Sequence, residues 1–221
     1  MQSREHFFHR FNQVFLIFSL LVGLSLGIYY CLTSTFYYIL LGFSSMLFPF
    51  LPHLLYRVFK LSPVHGLTTL FYLFSFLLFT VGMAMQGYAY LPLYDKAMHT
   101  LSGVFFAFLG VFVFYLLKPV KKIEPRDFSM VCYFSFSFAM TIAAVWEIYE
   151  FAISHLLGTD PQGVLKTGVG DTMWDIIVCM MGALLFLIPI WLYYKKGKKD
   201  FFFGIFDVFF EKNYPHPCVK S

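Results

Sequence analysis

Six separate apolar stretches, each long enough to cross a lipid bilayer, constrain the fold of this chain more than any other feature. They lie at residues 11–32, 36–55, 66–90, 97–117, 128–152 and 173–194. A transmembrane helix needs about 20 mainly apolar residues, because the hydrocarbon core of a bilayer is about 30 Å thick. Of all residues, 59% are hydrophobic and 13% are charged, whereas soluble domains contain about 25% charged residues. We therefore predict an all-α integral membrane protein with a bundle of six transmembrane helices, and exclude a soluble or a disordered chain.

The distribution of lysine and arginine predicts the orientation of this bundle. With a cytoplasmic N-terminus, 14 of the 16 basic residues lie on the cytoplasmic side, and only Lys96 and Lys166 lie outside. Basic residues are enriched in cytoplasmic loops, and with six spans both termini are then cytoplasmic. No linker, repeat or change of composition divides residues 1–221, so we expect a single membrane domain. We expect a multi-pass protein that is embedded in the lipid bilayer and has no nucleic-acid partner.

The residues after the last span predict one more helix, over residues 200–212. When this segment is placed on a helix, phenylalanine covers most of the surface and a narrow strip stays polar. The strip consists of Asp200, Gly204, Asp207 and Glu211. This pattern is typical of an amphipathic helix that lies in the membrane interface. A frayed apolar segment, too short to span the bilayer, is the alternative.

Half of the acidic residues fall on the outer side of the predicted bundle. These six are Asp95, Glu147, Glu150, Asp160, Asp171 and Asp175. Counting about 20 residues outward from the cytoplasmic end of each of the last three spans, at about 1.5 Å per residue, reaches His99, Glu147 and Asp175. The polar ends of these three helices therefore lie at the same depth, and we expect them to meet in one outward-facing pocket.

The spacing of the polar residues within each helix favours a metal site. Asp95 and His99 are four residues apart, as are Asp171 and Asp175, and residues at this spacing are neighbours on a helix surface. Carboxylates that share a pocket do not all ionise unless a cation neutralises them, and carboxylate and imidazole ligands are typical of divalent-metal sites in helical bundles. We expect a site for Mg, Mn or Zn whose ligands are Asp95, His99, Glu147, Asp171 and Asp175. For each residue alone, the simpler explanation is a helix that becomes polar where the membrane ends.

Two further residues complete the predicted site. Glu150 lies three residues after Glu147 and is our candidate for the general base, a role that a carboxylate outside the ligand set can take. The glycine-rich segment 158–171 follows the fifth span and carries Lys166. We expect this segment to lie over the pocket and Lys166 to contact an anionic headgroup.

Three motifs on the last three spans resemble the YjdF-like family of bacterial inner-membrane proteins. They are Tyr94-Asp95-Lys96-Ala97-Met98-His99 with Gly103, Trp146-Glu147-Ile148-Tyr149-Glu150-Phe151, and Gly170-Asp171-Thr172-Met173-Trp174-Asp175 with Gly182. The first three spans agree with that family in length and hydropathy only. A more distant similarity is to the VanZ-like group, in which D-K-x-x-H on one span is followed by an acidic motif. The YjdF-like family has no established activity, so the resemblance implies a multi-pass protein of the bacterial cytoplasmic (inner) membrane and names no reaction.

The depth of the predicted site distinguishes three functional hypotheses. A divalent-metal-dependent enzyme that acts on a lipid headgroup or a lipid-linked envelope precursor needs a site at the outer interface, where the acidic residues stop. A cation transporter would need ionisable residues that continue through the membrane or inverted repeats, and the sequence has neither. A non-catalytic envelope protein that binds a partner would need the carboxylates only for folding. We expect the first and keep the other two as alternatives.

Overall fold

The computed structural model describes residues 2–34, 36–158 and 160–214, and the regular elements in these ranges are helices. Six helical segments are long and apolar enough to cross a membrane. They are Arg4–Thr33, Phe36–Val58, His65–Ala84, Tyr94–Leu117, Pro125–Leu156 and Gly170–Lys196. The prediction of an all-α protein with six candidate spans is therefore confirmed. The described residues form two compact units, 2–94 with 207–214, and 95–206; the single domain and the orientation stay predictions.

The first unit contains the first three candidate spans. Its helices are α1 (Gln2–Thr33), α2 (Phe36–Ser44), α3 (Leu51–Val58), α4 (His65–Ser75), which continues as a π-helix over Phe76–Ala84, and α5 (Gly87–Tyr90). Pro49 and Pro52 interrupt the second span, because proline lacks an N–H and disrupts a continuous helix. This span therefore consists of α2, a 3-10 turn and α3. α1 and α2 pack closely at Gly42, where an added Cβ would lie 2.7 Å from the backbone nitrogen of Gly27.

The second unit contains the last three candidate spans, which carry most of the predicted site. They are α6 (Tyr94–Leu117), α7 (Phe128–Leu157) and α9 (Gly170–Lys196), and the short α8 (Val164–Thr167) lies in the loop before α9. The backbones of α6 and α9 touch, because an added Cβ on Gly103 would collide with the carbonyl oxygen of Cys179. An added Cβ on Gly182 would collide in the same way with that of Thr100. This close crossing keeps the first turns of α6 and α9 within side-chain reach of each other.

The predicted tail helix is present as α10 (Phe201–Asn213), but its aromatic face packs on protein. Phe203 is fully buried and stacks on Tyr193 with 4.2 Å between ring centroids. Phe206 is also fully buried and meets Phe112 edge to face at 5.3 Å. An isolated interfacial helix would turn these rings toward lipid. Here the aromatic side chains of α6 and α9 provide contacts that the helical pattern alone does not reveal.

Candidate functional site

Lys96 lies at the centre of the acidic residues that begin α6 and α9. Its Nζ atom is 2.9 Å from Oδ2 of Asp95, 2.5 Å from Oδ1 of Asp171 and 2.8 Å from Oδ1 of Asp175. Asp171 and Asp175 share a face at the start of α9, and Lys96 reaches them because α6 and α9 cross closely. We call Asp95, Lys96, His99, Asp171 and Asp175 the Lys96 cluster. The ammonium donates one hydrogen bond to each of the three aspartates.

His99 extends this cluster one turn further along α6. Its Nε2 atom lies 3.5 Å from Oδ1 of Asp95 and 3.6 Å from Oδ1 of Asp175. One ligand atom from each of these three residues lies within 4.8 Å of the other two. His99 and Asp175 are buried, with 8% and 2% of their surface exposed. We call Asp95, His99 and Asp175 the ligand triad, because their spacing suits three ligands of one metal ion.

Glu147 of α7 contributes a carboxylate with unused hydrogen-bonding capacity. It is buried, and its Oε2 atom accepts a hydrogen bond from Nε2 of Gln162 at 3.3 Å. The same Gln162 nitrogen also donates to the backbone oxygen of Glu147 at 3.2 Å. The Oε1 atom of Glu147 is buried and has no hydrogen-bond partner among the described residues. Glu147 also interacts electrostatically with His99, although it is not a member of the ligand triad.

Glu150, the candidate general base, has a different environment from Glu147. It is half-buried, and its Oε1 atom accepts a hydrogen bond from Nε1 of Trp146 at 2.8 Å. It interacts electrostatically with Glu147, His99 and Asp95. Glu150 therefore belongs to the same electrostatic environment as the Lys96 cluster, and it contributes no atom to the ligand triad.

The loop between α7 and α9 is tied to the site through Gln162. Asp160 organises the loop, because its two carboxylate oxygens accept hydrogen bonds from the backbone nitrogens of Val164 (2.8 Å) and Leu165 (3.1 Å). Lys166, the predicted headgroup contact, is exposed on α8 and forms no ion pair with the part of the chain that the structure describes. The hydrogen bonds of Gln162 to Glu147 thus anchor a loop whose lysine faces solvent.

Two residues of this site escaped the sequence reasoning, and one of them changes its electrostatics. No role in the site was predicted for Lys96, yet Lys96 pairs with three aspartates. Its position beside Asp95 and three residues before His99 was the available signal. No comparable signal marked Gln162, since its role depends on how the loop folds back onto α7.

The site still has an excess of negative charge after Lys96 is counted. Among the described residues, the carboxylates of Asp95, Asp171 and Asp175 contact the Lys96 ammonium, and Glu147 and Glu150 add two carboxylates that interact electrostatically with His99. Gathered carboxylates favour a further cation, and the ligand triad offers two oxygens and one nitrogen to it. The arrangement can therefore hold a divalent ion next to the Lys96 ammonium.

Comparison with known proteins places these residues in a family. A family model described as "Predicted membrane protein (DUF2238)" matches residues 11–196, a range that contains the Lys96 cluster, Glu147 and the loop. No curated protein and no solved structure matches the chain.

Proposed function

The chain belongs to the DUF2238 family of predicted membrane proteins, and we propose that it is a divalent-metal-dependent membrane enzyme. Its substrate would be a lipid headgroup or a lipid-linked envelope precursor at the outer leaflet of the bacterial cytoplasmic membrane. The observation that carries this proposal is the ligand triad, whose three ligand atoms lie within 4.8 Å of one another at the ends of two membrane helices. Within the family, the motifs at Asp95–His99 and Gly170–Asp175 support a place among YjdF-like proteins.

The donor set fits a hard or borderline divalent ion. Two carboxylates and one imidazole suit Mg, Mn or Zn, and the unpartnered Oε1 of Glu147 is a further oxygen donor nearby. Asp171 contacts Lys96 and lies outside the ligand triad, so its proposed part as a ligand requires it to exchange the ammonium for the metal. A bound divalent cation would polarise a phosphoryl or carbonyl oxygen of the substrate.

Other residues of the site supply the remaining parts of such a reaction. Glu150 is the proposed general base, because it interacts electrostatically with His99 and Asp95 without belonging to the ligand triad. Trp146 holds one of its carboxylate oxygens, which leaves the other free to accept a proton. Lys166 is proposed to contact the anionic headgroup, since it is exposed on the loop that Gln162 anchors.

The location of the site supports a substrate at the membrane surface. The Lys96 cluster lies in the first turns of α6 and α9, and the lysine and arginine distribution predicts that these turns are at the outer interface. A lipid headgroup lies at that depth, whereas an ion pathway would require ionisable groups that continue inward.

Metal analysis of the purified protein tests the proposal directly. Titration of metal-free wild-type protein with Mn²⁺ is expected to fill a site that Asp175→Asn loses and that Thr172→Ser, one turn earlier on α9, retains. A complementation assay should show loss of function in Asp175→Asn. A wild-type protein that binds no Mn²⁺, together with an Asp175→Asn variant that complements normally, would exclude the enzyme.

A second candidate function has an observation of its own. The three hydrogen bonds of Lys96 already compensate much of the aspartate charge, as in a structural ion-pair network of a non-catalytic envelope protein. In that case Asp171→Asn should lower the thermal stability of the protein, and Asp175→Asn should bind as much Mn²⁺ as wild type does. The Mn²⁺ titration therefore separates the two candidates.

A further inference from the structure

A second group of ionisable residues surrounds a pocket of about 390 Å³ in the first unit. The pocket is lined by Glu5, His6, His9, His65, Val208, Glu211 and Lys212, and we call it the histidine pocket. Sequence reasoning gave these histidines no role, because two lie near the N-terminus and the third begins a helix more than fifty residues later. The packing of α4 against α1 brings them to one place.

The rings of His9 and His65 lie close together, and His6 and Glu211 would have to rotate to join them, because among the described residues only the ligand triad brings three donor atoms within 4.8 Å of one another. The ring centroids of His9 and His65 are 4.6 Å apart, with an angle of 53° between the rings. With Zn–N bonds of about 2.0–2.1 Å and tetrahedral angles, two imidazoles on one zinc ion have centroids about 5 Å apart. His6 lies three residues before His9 and so on the same face of α1. Because His6 is exposed, its ring can turn toward the other two.

The backbone of His65 is held in position by several hydrogen bonds. Its nitrogen donates to Oε2 of Glu5 at 3.2 Å, and the nitrogen of Gly66 donates to Oε1 of Glu5, also at 3.2 Å. Its carbonyl oxygen accepts hydrogen bonds from Nδ2 of Asn12 and from Oγ1 of Thr69, each at 2.9 Å. A ligand on a rigidly supported backbone loses little freedom when it binds an ion, which favours binding.

The charges around the pocket favour a cation over an anion. The ammonium of Lys212 lies 2.8 Å from Oε2 of Glu5, so these two residues largely neutralise each other. The remaining charged group of the lining is the carboxylate of Glu211, which is exposed. Three imidazoles and one carboxylate form a nitrogen-rich donor set, and such sets prefer Zn, Cu, Ni or Co over Mg or Ca.

We propose that the histidine pocket binds a divalent transition-metal ion of the zinc class through His6, His9 and His65, with Glu211 as a fourth ligand. This site is additional to the metal site of the proposed enzyme. Its donors are mainly imidazoles, whereas those of the ligand triad are mainly carboxylates. The orientation predicted from lysine and arginine opens the pocket to the cytoplasm. An exposed carboxylate ligand and a pocket larger than one ion leave room for an exchangeable ligand on the metal.

Cobalt titration tests this site in the full-length protein, purified without a polyhistidine tag and freed of metal by chelation. Co²⁺ in a tetrahedral nitrogen-rich site absorbs visible light, and Zn²⁺ displaces it. In an Asp175→Asn background, which removes the other proposed site, we expect one Zn²⁺-displaceable Co²⁺ per chain. Adding His9→Asn or His65→Asn should weaken its binding at least tenfold. His6→Asn should weaken Co²⁺ binding as well. Because His6 is exposed, this substitution should leave the fold intact.

His155→Asn is the matched control, since His155 is an exposed histidine of the second unit and its loss should leave the absorption unchanged. The proposal is overturned if the Asp175→Asn protein shows no displaceable Co²⁺ absorption. It is equally overturned if His6→Asn and His65→Asn both bind Co²⁺ as tightly as their parent. Mn²⁺ binding that Asp175→Asn abolishes reports on the ligand triad, and Co²⁺ binding that remains in Asp175→Asn reports on the histidine pocket, so failure of one site is distinguishable from failure of the other.

Discussion

The Nζ atom of Lys96 on α6 lies 2.8 Å from Oδ1 of Asp175 on α9. Asp175 is 2% exposed, so its carboxylate receives little stabilisation from solvent and depends on nearby positive charge. Lys96 provides that charge and links the two helices. A metal ion bound at the ligand triad would contact Asp175, which also pairs with Lys96. The Lys96 ammonium therefore limits the affinity of the ligand triad for a metal ion.

Removal of this ammonium is expected to destabilise the metal-free protein. Lys96→Met leaves three aspartates without their shared donor, and hydrogen bonds to charged groups contribute about 1.5–3 kcal/mol. The midpoint of thermal unfolding in detergent should fall, whereas Lys166→Met, which changes an exposed lysine, should leave it unchanged. Added Mn²⁺ should restore the stability of the Lys96→Met variant. The variant should also bind Mn²⁺ more tightly than the wild-type protein does. Unchanged stability without metal would contradict the central role of Lys96.

Glu147 and Glu150 should respond differently to the same substitution. Glu147→Gln removes the charge of a buried carboxylate beside the ligand triad, so Mn²⁺ affinity is expected to fall at least tenfold. Glu150→Gln changes a residue outside the triad, so it should keep the metal and lose function in complementation. Mn²⁺ titration and complementation of both variants check the two roles. Equal Mn²⁺ affinity of the wild-type protein, Glu147→Gln and Glu150→Gln would exclude Glu147 as a ligand.

The crossing of α6 and α9 should tolerate no added methyl group. Gly182→Ala would push a Cβ into the carbonyl oxygen of Thr100, and such overpacking costs about 1–3 kcal/mol. The control is Gly204→Ala on α10, because no atom lies within 4 Å of a Cβ there and alanine favours a helix by about 1 kcal/mol. Unfolding midpoints should therefore shift in opposite directions. A Gly182→Ala protein as stable as wild type would show that the two helices separate easily.

The orientation of the chain is open to a direct topology test. A reporter that is active only outside the cytoplasm, fused after Gly163, is expected to be active, and the same reporter fused after Tyr214 is expected to be inactive. The physical reason is the concentration of lysine and arginine on the side of the termini. An inactive Gly163 fusion would place the Lys96 cluster in the cytoplasm, which would exclude an outer-leaflet substrate.

Part of the candidate site was accessible from sequence because helices have a fixed period. The spacing of four residues placed Asp95 with His99, and Asp171 with Asp175, on common faces, and the structure brings these residues together. Lys96 was counted only as an outer lysine, because the distribution of basic residues between the two sides of a membrane does not say which residues a flexible side chain contacts. The hydrogen bonds of Gln162 to Glu147 depend on a loop, for which the sequence offers no periodic signal.

The sequence by itself determined the all-helical class and the six candidate spans, since bilayer thickness and helical rise act on each segment separately. Contacts between segments were decided only by the tertiary structure. The close approach of the backbones at Gly103 and Gly182 sets which side chains of α6 and α9 meet. In the same way, the packing of α1 with α4 places His9 beside His65. Both contacts depend on the close packing of residues distant in sequence, which no single helix specifies.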